Sequence, residues 1–393
     1  MVNRGPVKGR GGAARRPASA GPTLSAGEAQ AKVSAARWAA FEILMLVGQG
    51  KGHSDELLHS GEPGAKVDAL SAEDRNLTTA LVMGVLRWQI ALDARVRGLL
   101  ERPEQRLAEE VSVALRMGAF QLLHMDRIPA HAALSESVEL CRAAGQPHAT
   151  GMVNAVLRKV AAAQKPGVRI FESTAAFAER LGHPVWMVER WVKAYGREAA
   201  LAICEADQRE PNEGGMFAES GEGWPVMDDG SRLVAEIAAA AVPGARKVWD
   251  CCAAPGGKTL VLAKRLAEAE VLATDVSSKR LARMEARLRK EGAGERVRFG
   301  VADAAVPRDV KGEFDLILCD VPCSGTGTLA GNPEIRHFLK VEDLAKQVDR
   351  QKKILRGALG KLAAGGRLVY STCSLEPEEC EQVVEAVVAG TEW

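Results

Sequence analysis

The chain has 393 residues, 47% of them hydrophobic and 26% charged, with a net charge of +1. That length calls for two or three domains, and the composition is that of a folded protein rather than a disordered or collagen-like one. Because no run of about 18 apolar residues occurs, a membrane span is not expected. Charge is unevenly spread: residues 1–37 carry seven Lys/Arg against one acid, Glu28, whereas the last 21 residues carry six acids and no Lys/Arg. The basic, Gly/Pro/Ala-rich start, residues 1–34, reads as a disordered arm able to touch phosphates. Eight cysteines in no regular framework, and an N-terminus without an apolar secretion core, fit a reducing cytoplasm.

From Ala36 an apolar stripe of helical period runs through Trp38, Phe41, Ile43, Leu44 and Leu46, and a Gly-rich turn follows at 48–52. Further helical stretches cover 74–97, 109–123, 130–144 and 150–163, with Ile128-Pro129 marking one break. No strand-like alternation interrupts them, so residues 35–165 are expected to form an all-helical bundle. Asn154 and Arg158 share a helical face that can either meet RNA or simply be solvated. Residues 166–223 read as a helical linker region: Lys165-Pro166-Gly167 opens it, two or three short helices span 171–210, and a polar, Gly-rich loop closes it.

Residues 224–393 change character. Strand-like runs at 247–250, 271–274, 297–300, 314–319 and 367–370 alternate with helical runs at 259–266, 277–291 and 341–362, the pattern of a mostly parallel sheet covered on both faces. The first strand leads into Asp250-Cys-Cys-Ala-Ala-Pro-Gly-Gly-Lys258. Adjacent glycines there permit a tight turn and leave no Cβ in the way of a ligand across the strand end. The spacing is neither the dinucleotide fingerprint nor a P-loop. Asp250, Asp275, Asp303 and Asp320 then fall at or just past successive strand ends. Asp275 is placed for a ribose diol, Asp303 for the amine of an adenine, and loop 253–257 for the amino-acid end of S-adenosylmethionine.

The sharper signal is a pair of cysteines. Asp320-Val-Pro-Cys-Ser-Gly-Thr-Gly327 ends the fourth strand and Ser371-Thr-Cys-Ser374 ends the fifth, so adjacent parallel strands bring Cys323 and Cys373 to one mouth. Carbon 5 of a pyrimidine is a poor nucleophile, but a thiolate added to carbon 6 makes it enamine-like and able to take a methyl group. Asp320 on the N3/N4 edge of the base supports that charge shift, and a second thiol assists release. Lys258 is the nearest cation in sequence to lower a thiol pKa. Cys251 and Cys252 read mainly as packing residues, and a metal site built from Cys251, Cys252, Cys319 and Cys323 is not expected. Cys380, among acids, is expected to be inert.

Two resemblances add to this. Arg37-Trp-Ala-Ala-Phe-Glu-Ile-Leu44, Leu86-Arg-Trp88, Leu115-Arg-Met-Gly-Ala-Phe-Gln-Leu-Leu123 and Gly151-Met-Val-Asn-Ala-Val-Leu-Arg158 are similar to the helical domain of the NusB antitermination factors, which implies an RNA- or protein-binding module. Cys252-Ala-Ala-Pro-Gly-Gly-Lys258, Asp320 to Gly327 and Leu368-Val-Tyr-Ser-Thr-Cys-Ser374 resemble the RNA 5-methylcytosine methyltransferases of the Sun/NOL/NOP family. That resemblance implies a Rossmann-like, class I S-adenosylmethionine-dependent methyltransferase domain and small-subunit ribosomal RNA as partner. It makes Cys373 the attacking thiol and Cys323 the releasing one, an order that spacing alone leaves open, with Asp320 the third catalytic residue. The cofactor-binding set it implies is Cys252, Ala253, Ala254, Pro255, Gly256, Gly257, Lys258, Asp275, Arg280, Asp303 and Asp320. No metal is called for, and a monomer is the expectation. Two parts of the family pattern are not found: a small α/β RNA-binding insert near residue 205, and two closing strands after the fifth. Competing readings are a non-catalytic RNA-binding adaptor and a methyltransferase acting on another RNA, such as transfer RNA.

Overall fold

The computed structural model describes residues 30, 32–163, 172–211, 224–225, 227–293 and 295–391. Most of the basic arm, Lys165-Pro166-Gly167 and most of the loop before residue 224 lie outside them. In the first part, helices α1 (Ala35–Gly48), α2 (Ser54–His59), α3 (Gly61–Asp68), α4 (Ala72–Arg97), α5 (Glu109–His124), α6 (Ala130–Ala143) and α7 (Thr150–Ala162) follow one another. Their apolar stripes meet in one core that includes Ile43, Leu81, Leu115, Met117, Leu140 and Leu157, all fully buried. Ser71 caps α4 by accepting from the Asp74 N–H at 3.1 Å. Short α2 and α3 were not anticipated: only Leu57, Leu58 and Val67 of their residues join the core, too few to show a period. Asn154 and Arg158 bond one another on an exposed face of α7.

Three helices, α8 (Thr174–Arg180), α9 (Val185–Tyr195) and α10 (Arg197–Ala206), form a second apolar cluster around the fully buried Trp191. Leu329 belongs to that cluster, with Ile335 and Leu375 against it, so it spans both cysteine-bearing loops downstream of their thiols.

After α11 (Asp229–Ala241) comes an all-parallel five-stranded sheet of β1 (Lys247–Asp250), β2 (Glu270–Asp275), β3 (Val297–Val301), β4 (Phe314–Asp320) and β5 (Leu362–Ser371), in the order β3-β2-β1-β4-β5. The intervening helices are α12 (Gly257–Arg265), α13 (Ser278–Lys290), α14 (Ile335–Phe338) and α15 (Val341–Leu359); α16 (Glu381–Val388) follows β5. Strand positions follow the sequence expectation closely, except that β5 begins five residues early. Phe314 pairs with Leu362 and Leu316 with Arg367, so the strand detours through Ala363–Gly366 before regaining register. One face of the sheet packs Val248, Val271, Leu316 and Leu318 against Leu262, Leu281, Met284 and Leu288 of α12 and α13. The other packs Trp249, Ile317 and Cys319 against Ile354 and Ala358 of α15. Strand order reverses between β1 and β4, which places the ligand crevice over their carboxyl ends. Among the described residues β5 pairs with β4 alone, and Val383 and Val387 of α16 pack on Leu355 beside it. No helix among the described residues is long and apolar enough to cross a membrane.

Candidate active site

The turn after β1 is held by polar contacts that begin inside the sheet. Asp250 is 1% exposed and accepts from Thr259 Oγ1 at 2.6 Å. Burial pushes its carboxyl up to about 7; the Thr259 bond opposes this, and the charge of Asp320 adds to it. Asp250 thus lies under the turn rather than lining the crevice, unlike the other three strand-end acids. The Ala253 N–H donates to Thr274 O at 2.9 Å, prolonging the β1–β2 ladder into the loop. Gly256 has φ +103° and begins α12. A Cβ there would lie 2.7 Å from Met284 Cγ and 2.8 Å from Leu288 Cδ1, and one on Gly257 would face Met227 at 3.5 Å. Gly256 is therefore required by the turn and by close packing on α13, whereas a Cβ on Gly257 would make only an ordinary contact. At Gly256 the missing Cβ thus makes room for α13 rather than for the ligand expected from sequence.

The crevice brings together Cys252, Ala254, Asp275, Arg280, Asp303 and Asp320 of the expected set. Asp275 is 4% exposed; its Oδ1 accepts from the Ser277 N–H at 2.8 Å and its Oδ2 lies 3.5 Å from Arg280 Nη1. Arg280 also donates to Ala254 O at 2.6 Å and so clasps the start of α13 to the Gly loop. Asp303 is exposed and accepts from the Ala305 N–H at 2.9 Å. Ala253, Pro255, Gly256, Gly257 and Lys258 do not line this crevice. Val276, Val321, Pro322, Arg350 and Ile354 do, and sequence reasoning missed them. Arg350 and Ile354 sit four apart on α15, a spacing that any amphipathic helix shows, so nothing marked them out.

At the crevice mouth, Lys258 Nζ is 2.7 Å from Asp320 Oδ2, and Ser371 Oγ donates to Asp320 Oδ1 at 2.8 Å. Beside this pair Cys323 Sγ and Cys373 Sγ are 3.0 Å apart, as their adjacent strands require. Cys373 is exposed and Cys323 half-buried. The Cys323 thiol is lowered to about 7, first by the hydrogen bond from Cys373, with help from the Thr372 side chain and the Gly325 backbone against the cost of burial. Cys373 is pushed up, because its proton is held in that bond and it faces the Cys323 charge; Lys258 opposes this only weakly. The partner thiol, not the lysine expected from sequence, lowers the pair's first ionisation. Once the pair has lost its first proton, at about 7, the two sulfurs share the one that remains.

Both cysteine loops are bolted down behind the thiols. The Gly327 N–H donates to Cys373 O at 2.8 Å, and a Cβ on Gly327 would lie 2.8 Å from that same oxygen, so only glycine lets the loops approach so closely. Arg190 Nε and Trp191 Nε1 on α9 donate to the buried Glu376 at 2.6 and 3.0 Å. Arg336 is buried and donates to the carbonyls of Arg87, Gly182 and Leu329. Helices of the first half thus brace the segments that follow each thiol. The remaining cysteines are quieter. Cys251 and Cys319 are buried with their sulfurs 3.2 Å apart, and Cys380 is raised to about 12 by burial and by Glu381. No cluster of three or more metal-ligating side chains occurs among the described residues.

Known proteins resemble this chain in sequence and in fold. The family model for the 16S rRNA methyltransferase RsmB/F matches residues 240–392, and that for the NusB family matches residues 34–162. The ribosomal RNA small subunit methyltransferase B of Citrobacter koseri is 33% identical over 365 residues, covering 82% of this chain and 84% of that protein. The protein of the same name from Klebsiella pneumoniae is 31% identical over 367 residues, covering 82% and 83%. The crystal structure of PH0851 superposes with a TM-score of 0.69 at 20% identity, covering 91% of this chain and 90% of that one, a likeness of fold.

Proposed function

Because the chain belongs to the RsmB/F family of 16S rRNA methyltransferases, we propose that it methylates carbon 5 of a cytosine in small-subunit ribosomal RNA, with Cys373 as attacking thiol and Cys323 as the residue that frees the product. S-adenosylmethionine is the cofactor, and supplies an electrophilic sulfonium methyl when bound. The crevice suits it in kind. Asp275 and Asp303 offer acceptors for hydroxyls and an amine, Val321, Pro322 and Ile354 an apolar wall for a base, and the acids around the mouth favour a cation. Cys252, Ala254, Asp275, Arg280 and Asp303, which line the crevice, would hold it.

The observation that carries the reading is the 3.0 Å thiol pair beside the Lys258–Asp320 ion pair. Passing the shared proton from Cys373 to Cys323 puts the negative charge on the attacker. Its addition to carbon 6 moves electrons toward the N3/N4 edge, where the Lys258–Asp320 pair offers charge-assisted hydrogen bonds. Once carbon 5 has taken the methyl group, Cys323, having passed its proton to water, accepts the carbon 5 proton as the carbon–sulfur bond to Cys373 breaks. One proton is released overall. Residues 35–165 serve as the RNA- or protein-binding module, 166–223 as linker and 224–393 as the methyltransferase domain, working in the cytoplasm. The test is methylation of transcribed 16S rRNA with labelled cofactor, followed by nucleoside analysis. Label in 5-methylcytidine that disappears with Cys373→Ala is expected; label in another nucleoside, or undiminished 5-methylcytidine from that variant, refutes the reading.

A further inference from the structure

Behind the thiols lies a carboxylate that the reaction itself does not use. Glu379 is fully buried at the end of a single 3-10 turn, Pro377–Glu379, after β5. Its Oε1 accepts from the Ser324 N–H and from Gln351 Nε2, both at 2.9 Å. Its Oε2 accepts from Ser374 Oγ at 2.6 Å and from Ser324 Oγ. Ser324 directly follows Cys323 and Ser374 directly follows Cys373, and the two hydroxyls are 3.0 Å apart. Gln351, on α15, also donates to the carbonyl of Pro322, the residue before Cys323, at 3.0 Å. The Tyr370 hydroxyl donates to Glu379 O at 2.8 Å and fixes the turn from the strand side.

One carboxylate therefore joins both loops through the residue next to each thiol. A buried carboxylate is costly unless every donor reaches it, and here four do. Packing alone would be served as well by an apolar side chain. What an apolar side chain cannot do is hold two separate loops by four directed bonds.

We propose that Glu379 is a positioning residue that sets the spacing of Cys323 and Cys373 by anchoring Ser324 and Ser374 to one carboxylate. Its place in catalysis rests on the reading in which this thiol pair does the chemistry. Its geometric effect does not, and can be measured without methylation. Glu379 also places negative charge near Cys323, which opposes ionisation of that thiol. The two effects of removing it have opposite signs. Lost charge favours the thiolate and speeds thiol oxidation, whereas lost anchoring separates the sulfurs and slows it.

The experiment is diamide oxidation of the full chain, which joins two thiols as a disulfide while diamide is reduced to its hydrazine, with the Cys323–Cys373 bond quantified by peptide mass spectrometry. Glu379→Gln, which keeps the volume and one acceptor oxygen but loses the charge, is expected to cross-link at least as fast as wild type, and Glu379→Ala about tenfold more slowly or worse. Cofactor affinity, measured by calorimetry, should be retained by all three. Glu379→Ala cross-linking as fast as wild type, or Glu379→Gln as slow as Glu379→Ala, overturns the proposal. Should Glu379→Ala fail to fold, the double variant Ser324→Ala/Ser374→Ala decides: it keeps the carboxylate and removes the anchored hydroxyls, so it must cross-link more slowly than wild type, and a wild-type rate counts against the proposal. Cys373→Ala, assayed alongside for RNA methylation, separates the two claims. Its activity would sink the cysteine mechanism and leave the cross-linking result standing on its own.

Discussion

Two thiol pairs bridge neighbouring strands of this sheet, and they differ in everything but spacing. Cys251 and Cys319 lie 3.2 Å apart at the β1–β4 boundary, and Cys323 and Cys373 lie 3.0 Å apart past the ends of β4 and β5. The first pair is buried between the sheet and α15, with Cys251 at the wall of the crevice. There Cys251 is pushed well above the ordinary thiol range: the Cys252 thiol pulls it down, but Cys319, burial and Asp250 outweigh that. The second pair is reached by solvent, and its first ionisation falls to about 7 because Cys323 receives hydrogen bonds from Cys373, Thr372 and Gly325. Proximity of two sulfurs therefore does not make a reactive pair. Donors aimed at one sulfur, with an open face on the other, do.

That contrast can be broken at several points. The largest effect belongs to Cys373→Ala, which should lower methylation by about 10⁴-fold or more if it removes the nucleophile of a concerted unit, as measured by labelled-methyl incorporation. Cys323→Ala should cost about 10²–10⁴-fold in turnover as a lost proton acceptor, and protein–RNA adduct should accumulate on denaturing gels. Alkylation by iodoacetamide gives the pH dependence. Since the Cys323 thiol is lowered to about 7, modification of the outer pair should rise with pH and level off above about 7, falling tenfold per unit below it, whereas Cys251 stays unmodified throughout. The smallest effect is expected of Cys251→Ala. It should leave turnover near wild type and lower stability by about 1–2 kcal/mol in urea titration, the cost of a small buried cavity. A loss of activity there as large as that of Cys323→Ala would erase the distinction between the pairs.

Much of this was legible in the sequence because the sheet writes itself plainly. Each of the five strand-like runs lies within a strand, and the motif ends of β4 and β5 place Cys323 and Cys373 together once parallel neighbours are assumed. What stayed hidden arises from contacts between segments far apart in sequence. The glycines of the turn look like ligand clearance, yet Gly256 faces Met284 and Leu288 of a helix nearly thirty residues on. Asp250 looks like a fourth crevice acid, but the Thr259 hydroxyl nine residues later holds it under the turn. Arg350 reaches the crevice from a helix whose pattern is only amphipathic. Glu379 reads as one acid among six in an acidic tail, and only the pairing of Ser324 with Ser374 gives it a place. α2 and α3 bury too few apolar residues to announce themselves.

The central claim is that one exposed thiol of the outer pair forms a bond to the base. RNA containing 5-fluorocytosine tests it most directly, since a fluorine at carbon 5 cannot leave as a proton and strands the adduct. With S-adenosylmethionine present, the protein should become covalently joined to this RNA, with the attachment mapping to the peptide that carries Cys373 and absent from Cys373→Ala. An adduct on Cys323 instead, or no adduct under conditions where unmodified RNA is methylated, would contradict the account.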